Sequence, residues 1–461
     1  MIAKILKPAL FCVAATVALS SCNIYKKYEL PVNDSEIVAD YRKSVESTPD
    51  STSLPYLGWE EVFTDPKLRT LIHLALANNN DLDNARLNVD IARAQLKGAK
   101  LSYFPSLALN PNGGTASYGG SHMNWSYTIP AAMSWEVDIF GKILNRKRAA
   151  QVGVEMAEDY RQATRSQIIC GVASTYYALV LLNQQLDLTK RTAEIWKDQV
   201  KSMVLMKEAA RVNEAAVVQS RANYYSILST IPELESQIRT TQSALSLLLN
   251  TYPKEWDVTN SLDFDIPDEL KTGVPITYLA ARPDVRAAER NMASAYYATN
   301  SARAAFYPGL TISAQGGFTN LLGSIVSNPG KWFIQLAGSL TAPLFSRGQN
   351  IANLEAAKAR QAQALNSFET TVLGAASDVS NALVAIRSNH EKRDFILLQI
   401  EQLEKSVEYT EELLTLDQRT TYLELLTARQ SLLSAQLSSL GCWHSKVAAI
   451  ISLYQAVGGG R

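Results

Sequence analysis

Residues 125–138 read WSYTIPAAMSWEVD, and their alternation decides the fold. Trp125, Tyr127, Ile129, Ala131, Met133, Trp135 and Val137 alternate with Ser126, Thr128, Pro130, Ala132, Ser134, Glu136 and Asp138. A strand sends successive side chains to opposite faces, so this period predicts a long strand with one large apolar face and one small or polar face. The pattern returns where Trp332, Ile334, Leu336, Gly338, Leu340 and Ala342 alternate with Phe333, Gln335, Ala337, Ser339 and Thr341. Partner strands are expected near residues 106–117 and 309–319, joined through the Gly/Ser/Asn-rich loops 118–124 and 320–330. Each stretch then makes one long hairpin. Such strands exceed the usual five or six residues, and four strands cannot close a barrel, leaving open edges that invite aggregation. A long aromatic-rich apolar face fits a membrane β-barrel closed by copies from other chains.

The sequence after each hairpin changes period. Lys142–Glu208 and Gln349–Thr415 contain no proline, and each is 67 residues long, about 100 Å as continuous helix. Ile169, Val172, Tyr176, Leu179, Leu182 and Leu186 step by three or four, as do Val379, Leu383 and Ile386. The chain turns near Ala210–Ala215 and Leu416–Thr421, then returns as a second helix toward Leu249 and toward Tyr454. Helices of this length predict coiled-coil packing. Ahead of the first hairpin, Leu68 to Leu101 is also helical in period, with a break and a new N-cap at Asn78-Asn79-Asn80.

These elements occur twice. Asn80-Asp81-Leu82-Asp83-Asn84-Ala85 parallels Pro283-Asp284-Val285-Arg286-Ala287-Ala288, and Tyr103-Phe104-Pro105 parallels Phe306-Tyr307-Pro308. Asp138-Ile139-Phe140-Gly141 corresponds to Pro343-Leu344-Phe345-Ser346, and Arg221 to Arg429. The expected organisation is a first repeat over residues 58–250, a proline-rich linker over 251–283 and a second repeat over 284–461.

The amino terminus carries an address. Lys4 and Lys7 precede an apolar stretch from Pro8 to Leu19, which is too short to span a bilayer and reads as a secretory signal over residues 1–21. Leu19-Ser20-Ser21-Cys22 resembles the lipobox of bacterial lipoproteins, which implies acylation of Cys22. Residues 22–57 then read as an extended, lipid-anchored tether. Removing residues 1–21 takes two lysines and no acids, leaving 42 basic and 44 acidic residues. That balance argues against a nucleic-acid partner. No unbroken run of eighteen apolar residues suggests a transmembrane helix. Cys170 and Cys442 lie in helical patterns and read as small core residues, with a single bridge between them left open.

Taken in order, these words resemble a TolC-like outer-membrane factor of the lipoprotein, OprM/NodT-like branch found with RND efflux pumps. The resemblance is carried by Leu19-Ser20-Ser21-Cys22, Ala281-Arg282-Pro283-Asp284, Phe306-Tyr307-Pro308, Trp135 to Gly141, and Thr421-Tyr422-Leu423-Glu424-Leu425-Leu426. It covers Gly58 to Tyr454. It implies a mainly α fold with membrane β: coiled-coil hairpins forming a periplasmic tunnel, and four strands per chain in a trimeric twelve-stranded outer-membrane barrel. It also implies passive conduction without chemistry, a homotrimer, and partnership with a periplasmic adaptor and, through it, an inner-membrane RND pump. The helical tips, Glu208, Arg211, Asn213 and Glu214 in the first repeat and Asp417, Gln418, Arg419, Thr420 and Thr421 in the second, are the candidate gate and adaptor residues. Family members often carry glycine at these turns, where this chain has Ala210 and Gln418.

Other chemistry finds little support. His73, His122 and His390 stand alone, and His444 follows Cys442 at a spacing that points the two to different helix faces. Asp81/Asp83 and Asp263/Asp265 are paired carboxylates, but they sit at a helix start and in the linker, where capping and turns use Asp. No cofactor and no enzymatic activity is expected. A type I secretion conduit and a non-pore, lipid-anchored periplasmic scaffold are the alternatives.

Overall fold

The computed structural model describes residues 25–31, 35–46, 58–116, 124–262, 264, 276–319, 331–416 and 422–460. Two compact units emerge. One comprises Met1–Asp34, Leu87–Glu158 and Arg286–Thr370; the other Ser35–Arg86, Asp159–Val285 and Thr371–Arg461. Each unit takes segments from both repeats.

The first unit holds the sheet. Its strands are β1 (Ser106–Leu109), β2 (Asn112–Ala116), β3 (Asn124–Val137), β4 (Gly309–Thr319) and β5 (Lys331–Thr341). β1 and β2 both pair antiparallel with β3, from Ser106↔Ser134 to Leu109↔Ala131 and from Asn112↔Thr128 to Ala116↔Asn124. The register is unchanged across the gap, so they are two halves of one strand line. The expected continuous strand over 106–117 is broken because Pro130, which stands opposite Asn110, has no N–H to return to the ladder; Asn110 still donates to the Pro130 carbonyl at 3.0 Å. β3 pairs with β4, and β4 with β5, all antiparallel. The β3–β4 ladder joins the hairpins of the two repeats. The loops expected at 118–124 and 320–330 lie almost entirely outside the described residues.

Helices bound both repeats: α1 (Glu36–Glu46), α2 (Trp59–Val62), α3 (Pro66–Asn78), α4 (Asn80–Leu101), α5 (Lys142–Glu208), α6 (Glu214–Leu248), α7 (Pro283–Ala304), α8 (Gln349–Leu416) and α9 (Tyr422–Ala456). The segment expected as an extended tether thus contains α1. Val38 and Tyr41, three apart, turn one face of it inward, and both are buried. At the α3/α4 junction the Asn79 side chain accepts from the N–H groups of Asp81 and Leu82 at 2.8 and 3.2 Å, so Asp81 and Asp83 lie inside the first turn of a capped helix.

The core of the second unit is a contact between repeats. Ile169, Val172, Tyr176 and Leu179 of α5 pack with Leu68 and Ile72 of α3, Leu245 of α6, and Trp443, Val447 and Tyr454 of α9. One eighteen-residue window of α5 is apolar enough to cross a bilayer, which a search for unbroken apolar runs passes over; 61% of it is buried. That burial is the packing of a core helix. The chain after α6 is stitched onto the core: the Tyr176 hydroxyl donates to Asp65 Oδ2 at 2.7 Å and accepts from the Thr259 N–H at 3.0 Å, and Trp443 Nε1 donates to the Leu262 carbonyl at 2.7 Å. Cys170 and Cys442 are both free and buried, and burial pushes the Cys170 thiol up to about 12.

Arg282, of the Arg-Pro-Asp word, clamps three segments. It donates to both carboxylate oxygens of Asp284 at 3.0 and 2.7 Å, to Asp378 of α8 at 3.1 Å, and to the Ala456 carbonyl at 3.0 Å. Burial by itself pushes the Asp284 carboxyl up, but the guanidinium outweighs it and holds the group below its usual value.

Three helix ends close in one way. After α5 the Arg211 N–H bonds to the Met206 carbonyl and the Ala210 N–H to Lys207; after α6 Thr251 bonds to Ser246 and Asn250 to Leu247; after α9 Gly459 bonds to Tyr454 and Gly458 to Gln455. This is the Schellman pattern, which needs a left-handed residue at its hinge. Those hinges are Ala210 (φ 56°), Asn250 (φ 52°) and Gly458 (φ 86°). Only Ala210 pays the full steric cost of its Cβ, roughly 1 kcal/mol or more.

Two predictions follow from these contacts. Arg282→Ala should destabilise the protein by about 1–2 kcal/mol, because it strands the Asp284 carboxylate in a half-buried site where water screens part of the loss. Wild-type stability from this pair is present above the ordinary carboxylate range and is lost as pH falls through the lower folded value of Asp284. A thermal midpoint unchanged by the substitution would remove the clamp from the account. Ala210→Gly should instead increase hydrogen-exchange protection of the α5/α6 turn, equivalent to about 1 kcal/mol; decreased protection would show that Ala210 is unstrained.

Candidate functional site: a sheet face and a hairpin tip

The ladder register sorts every strand residue onto a face. Leu107 and Leu109 stand opposite Met133 and Ala131, Ile129 opposite Phe318, Trp135 opposite Ile312, and Phe318 opposite Trp332. One face is therefore apolar in β1, β3, β4 and β5: Leu107 and Leu109, Ile129 and Trp135, Phe318, and Trp332, Ile334, Leu336 and Leu340. It is also exposed. Leu107 is 77%, Trp332 72%, Ile334 70% and Leu336 76% accessible. A contiguous apolar surface of this kind has no place in water and marks a lipid or protein contact.

The opposite face is polar and bonded to itself. Thr128 and Thr319 hydroxyls meet at 3.0 Å, Gln315 Nε2 donates to Gln335 Oε1 at 2.7 Å, and Ser126 Oγ donates to the Gly114 carbonyl at 3.0 Å. Apolar outside with polar inside is the alternation of a barrel whose lumen carries water. At the helical end of the sheet an aromatic rim appears: Phe140 and Tyr307 stack at 4.9 Å, and Trp135 Nε1 donates to the Tyr103 carbonyl at 2.9 Å. Asp138 caps the start of α5 by accepting from the Leu144 N–H at 2.6 Å, and Gly141 at φ 71° makes the strand-to-helix corner. The strand edges β1/β2 and β5 have no partner among the described residues.

The second site is the α5/α6 tip. Glu208 is the last residue of α5, Arg211 lies in the turn, and Asn213 caps α6 by accepting from the Ala216 N–H at 3.0 Å. Glu214 pairs with Lys207 Nζ at 2.5 Å, and this bond holds its carboxyl below the usual range. The structure therefore joins Glu214 and Asn213 to the turn, while no ion pair or hydrogen bond involves the side chains of Glu208 or Arg211 among the described residues. Lys207 was not legible as a partner, since a lysine in a last helical turn is commonplace. Beneath the tip, Trp196, Met203 and Val217 pack with Tyr422 and Leu426. In the second hairpin Arg429 of α9 pairs with Glu411 of α8. Asp417, Gln418, Arg419, Thr420 and Thr421 lie outside the described residues, as does Cys22.

Two of the remaining candidate groups have ordinary partners. His73 pairs with Glu60 at 3.2 Å and Asp83 with Arg86 at 3.3 Å; Asp263 and Asp265 lie outside the described residues. Burial lowers the pKa of His444. Among the described residues no group of three or more His, Cys, Asp or Glu is placed to hold a metal ion.

Comparison with known proteins agrees with this geometry. The family profile described as outer membrane efflux protein matches residues 71–251 and 274–459, once in each repeat. The probable outer membrane lipoprotein SilC of Salmonella typhimurium is 29% identical over 432 residues, covering 90% of both chains. The cation efflux system protein CusC of Escherichia coli is 28% identical over 463 residues, covering 98% of each. The open state of the MtrE outer membrane channel of Neisseria gonorrhoeae superposes with a TM-score of 0.80 at 26% identity, over 95% of this chain and 97% of that one. With an apolar-out, polar-in sheet, long helical hairpins and two profile matches, the chain belongs to the outer membrane efflux protein family and is an outer-membrane channel component of an efflux system.

Proposed function

We propose that three copies of the chain close the sheet into a twelve-stranded barrel and that the helical hairpins continue it as a tunnel into the periplasm. The observation that carries this reading is the exposed apolar face, continuous over every strand line and flanked by two open edges. Closure would satisfy both edges and give the face to lipid. Cargo would pass along the polar face without covalent chemistry. Acylation of Cys22 would add an anchor beside the barrel, since several acyl chains hold a protein durably at a bilayer. A periplasmic adaptor would engage the tips around Glu208, Arg211, Asn213 and Glu214 and couple the channel to an inner-membrane pump of the RND type.

Leu336→Arg places a charge in the middle of the apolar face, at a cost of about 2–4 kcal/mol if that position faces the bilayer midplane. It should reduce the trimer recovered from outer membranes, read by native gel and negative-stain microscopy, whereas Gln335→Arg on the polar face should assemble normally. Equal assembly of both variants would sink the membrane assignment of the face.

Asp417 and Arg419 are proposed to hold the tip shut through contacts between chains. Asp417→Ala and Arg419→Ala should then raise single-channel conductance in planar bilayers. Unchanged conductance in both would remove them from the gate.

A further inference from the structure

The helical end of the sheet is the most basic part of the chain. Residues 95–105, 138–148, 299–308 and 342–351, which flank the strands there, hold eight basic residues and one acid, Asp138, although the whole chain balances 44 basic against 44 acidic residues. Lys142 is taken by Glu136 at 2.7 Å, on the polar side. The others are not all dispersed: several gather around the segment Tyr25–Pro31.

That segment is strapped down. Arg148 Nη1 donates to the Tyr25 carbonyl at 3.0 Å, the Tyr28 N–H donates to the Tyr297 hydroxyl at 3.0 Å, and the Tyr28 and Tyr296 rings meet edge-on at 5.8 Å. This places Lys26 and Lys27, both exposed, at fixed positions on the surface. Arg303, also exposed, is close enough to Tyr25 to act on it electrostatically. Arg303 and Lys358 then line a cavity of about 410 Å³ with Tyr28, Met292 and Tyr296, in which Glu29 is the single acid. Lys147 Nζ lies 5.7 Å over the Tyr103 ring, and the Tyr103 carbonyl holds Trp135 of the apolar face. Lys147 is thus joined, through Tyr103, to the surface assigned to lipid.

We infer that Lys26, Lys27, Lys147 and Arg303 form a seat for the phosphate headgroups of anionic phospholipids at the helical rim of the sheet. The inference rests on the membrane reading of the apolar face. Its physical basis is that basic side chains near an anionic bilayer surface each add attraction, which fades within a Debye length of about 8 Å at physiological salt. Arg303 stands one turn before Tyr307, and Lys147 lies against the Tyr103 ring, so both are within that reach of the rim. The cavity beside Arg303 offers apolar walls for the glycerol end of a lipid and cations for its phosphate.

The test uses the full-length, lipid-modified protein in detergent. Phosphatidylglycerol, phosphatidylcholine and inorganic phosphate are titrated in turn, and bound species are counted by native mass spectrometry. Phosphatidylglycerol should bind in preference to phosphatidylcholine, and the preference should shrink when salt is raised tenfold. Lys26→Gln/Lys27→Gln/Arg303→Gln should weaken phosphatidylglycerol binding on the order of 100-fold while leaving trimer mass and single-channel conductance unchanged. Equal binding of the two lipids, or a triple variant that keeps the preference, overturns the inference. Inorganic phosphate binding as tightly as the lipid would also overturn it, in favour of a free-anion site. Conductance is measured separately, so a wild-type protein that forms no pore would count against the channel reading, whatever lipid it prefers.

Discussion

An antiparallel sheet with its large apolar side chains, Phe333 excepted, on one uncovered face is the constraint from which the rest follows. Leu107, Trp332, Ile334 and Leu336 gain nothing from water, at about 25 cal/mol per Å² of apolar surface left wet. Among the described residues of the first unit nothing covers them. The face therefore needs a bilayer, and a bilayer tolerates no unpaired backbone edge. The two open edges and the apolar face are consequently one requirement. Neither can be met by the other's solution: burying the face in lipid worsens the edges, and pairing the edges without lipid leaves the face wet.

The second unit answers a different demand, which is to hold long helices in place by a few dense contacts. Trp443, Tyr176 and Tyr454 join helices from both repeats in one cluster, and the linker is tied to it through main-chain groups that would otherwise be unsatisfied. The Arg282 clamp belongs to the same class. It spends a buried guanidinium on two carboxylates and a helix-end carbonyl, so that the start of α7, the middle of α8 and the end of α9 share one anchor.

Much of this was legible in the residues, and the limits are physical. β3 and β5 could be read because Trp, Tyr and Ile at every second position have no other economical arrangement. β1 and β2 were legible in place but not in their interruption, since its cause, Pro130, lies in the strand opposite. The β3–β4 ladder had no local signal, because it joins residues about 180 apart whose own patterns are complete without each other. α1 was mistaken for extended chain because its Ser, Asp and Lys content masks two buried residues, Val38 and Tyr41. At the tip, Asn213 and Glu214 could be named from the turn, but the pairing with Lys207 could not. The partners of Arg282 were equally hidden: the Arg-Pro-Asp word shows Asp284, while Asp378 and the Ala456 carbonyl are set by packing alone.

The number of strand lines per chain has one further consequence, for symmetry. Ser106, Val137, Gly309 and Thr341 all lie at the helical end of the sheet, so the four lines alternate in direction and the two edges run oppositely. Copies inserted in the same sense therefore meet antiparallel only when β5 of one faces β1/β2 of the next. Two identical edges brought together by a two-fold axis along the membrane normal would run parallel. An even count of lines thus favours head-to-tail contacts over like-edge pairs, and that choice is written into chain parity rather than into any single side chain.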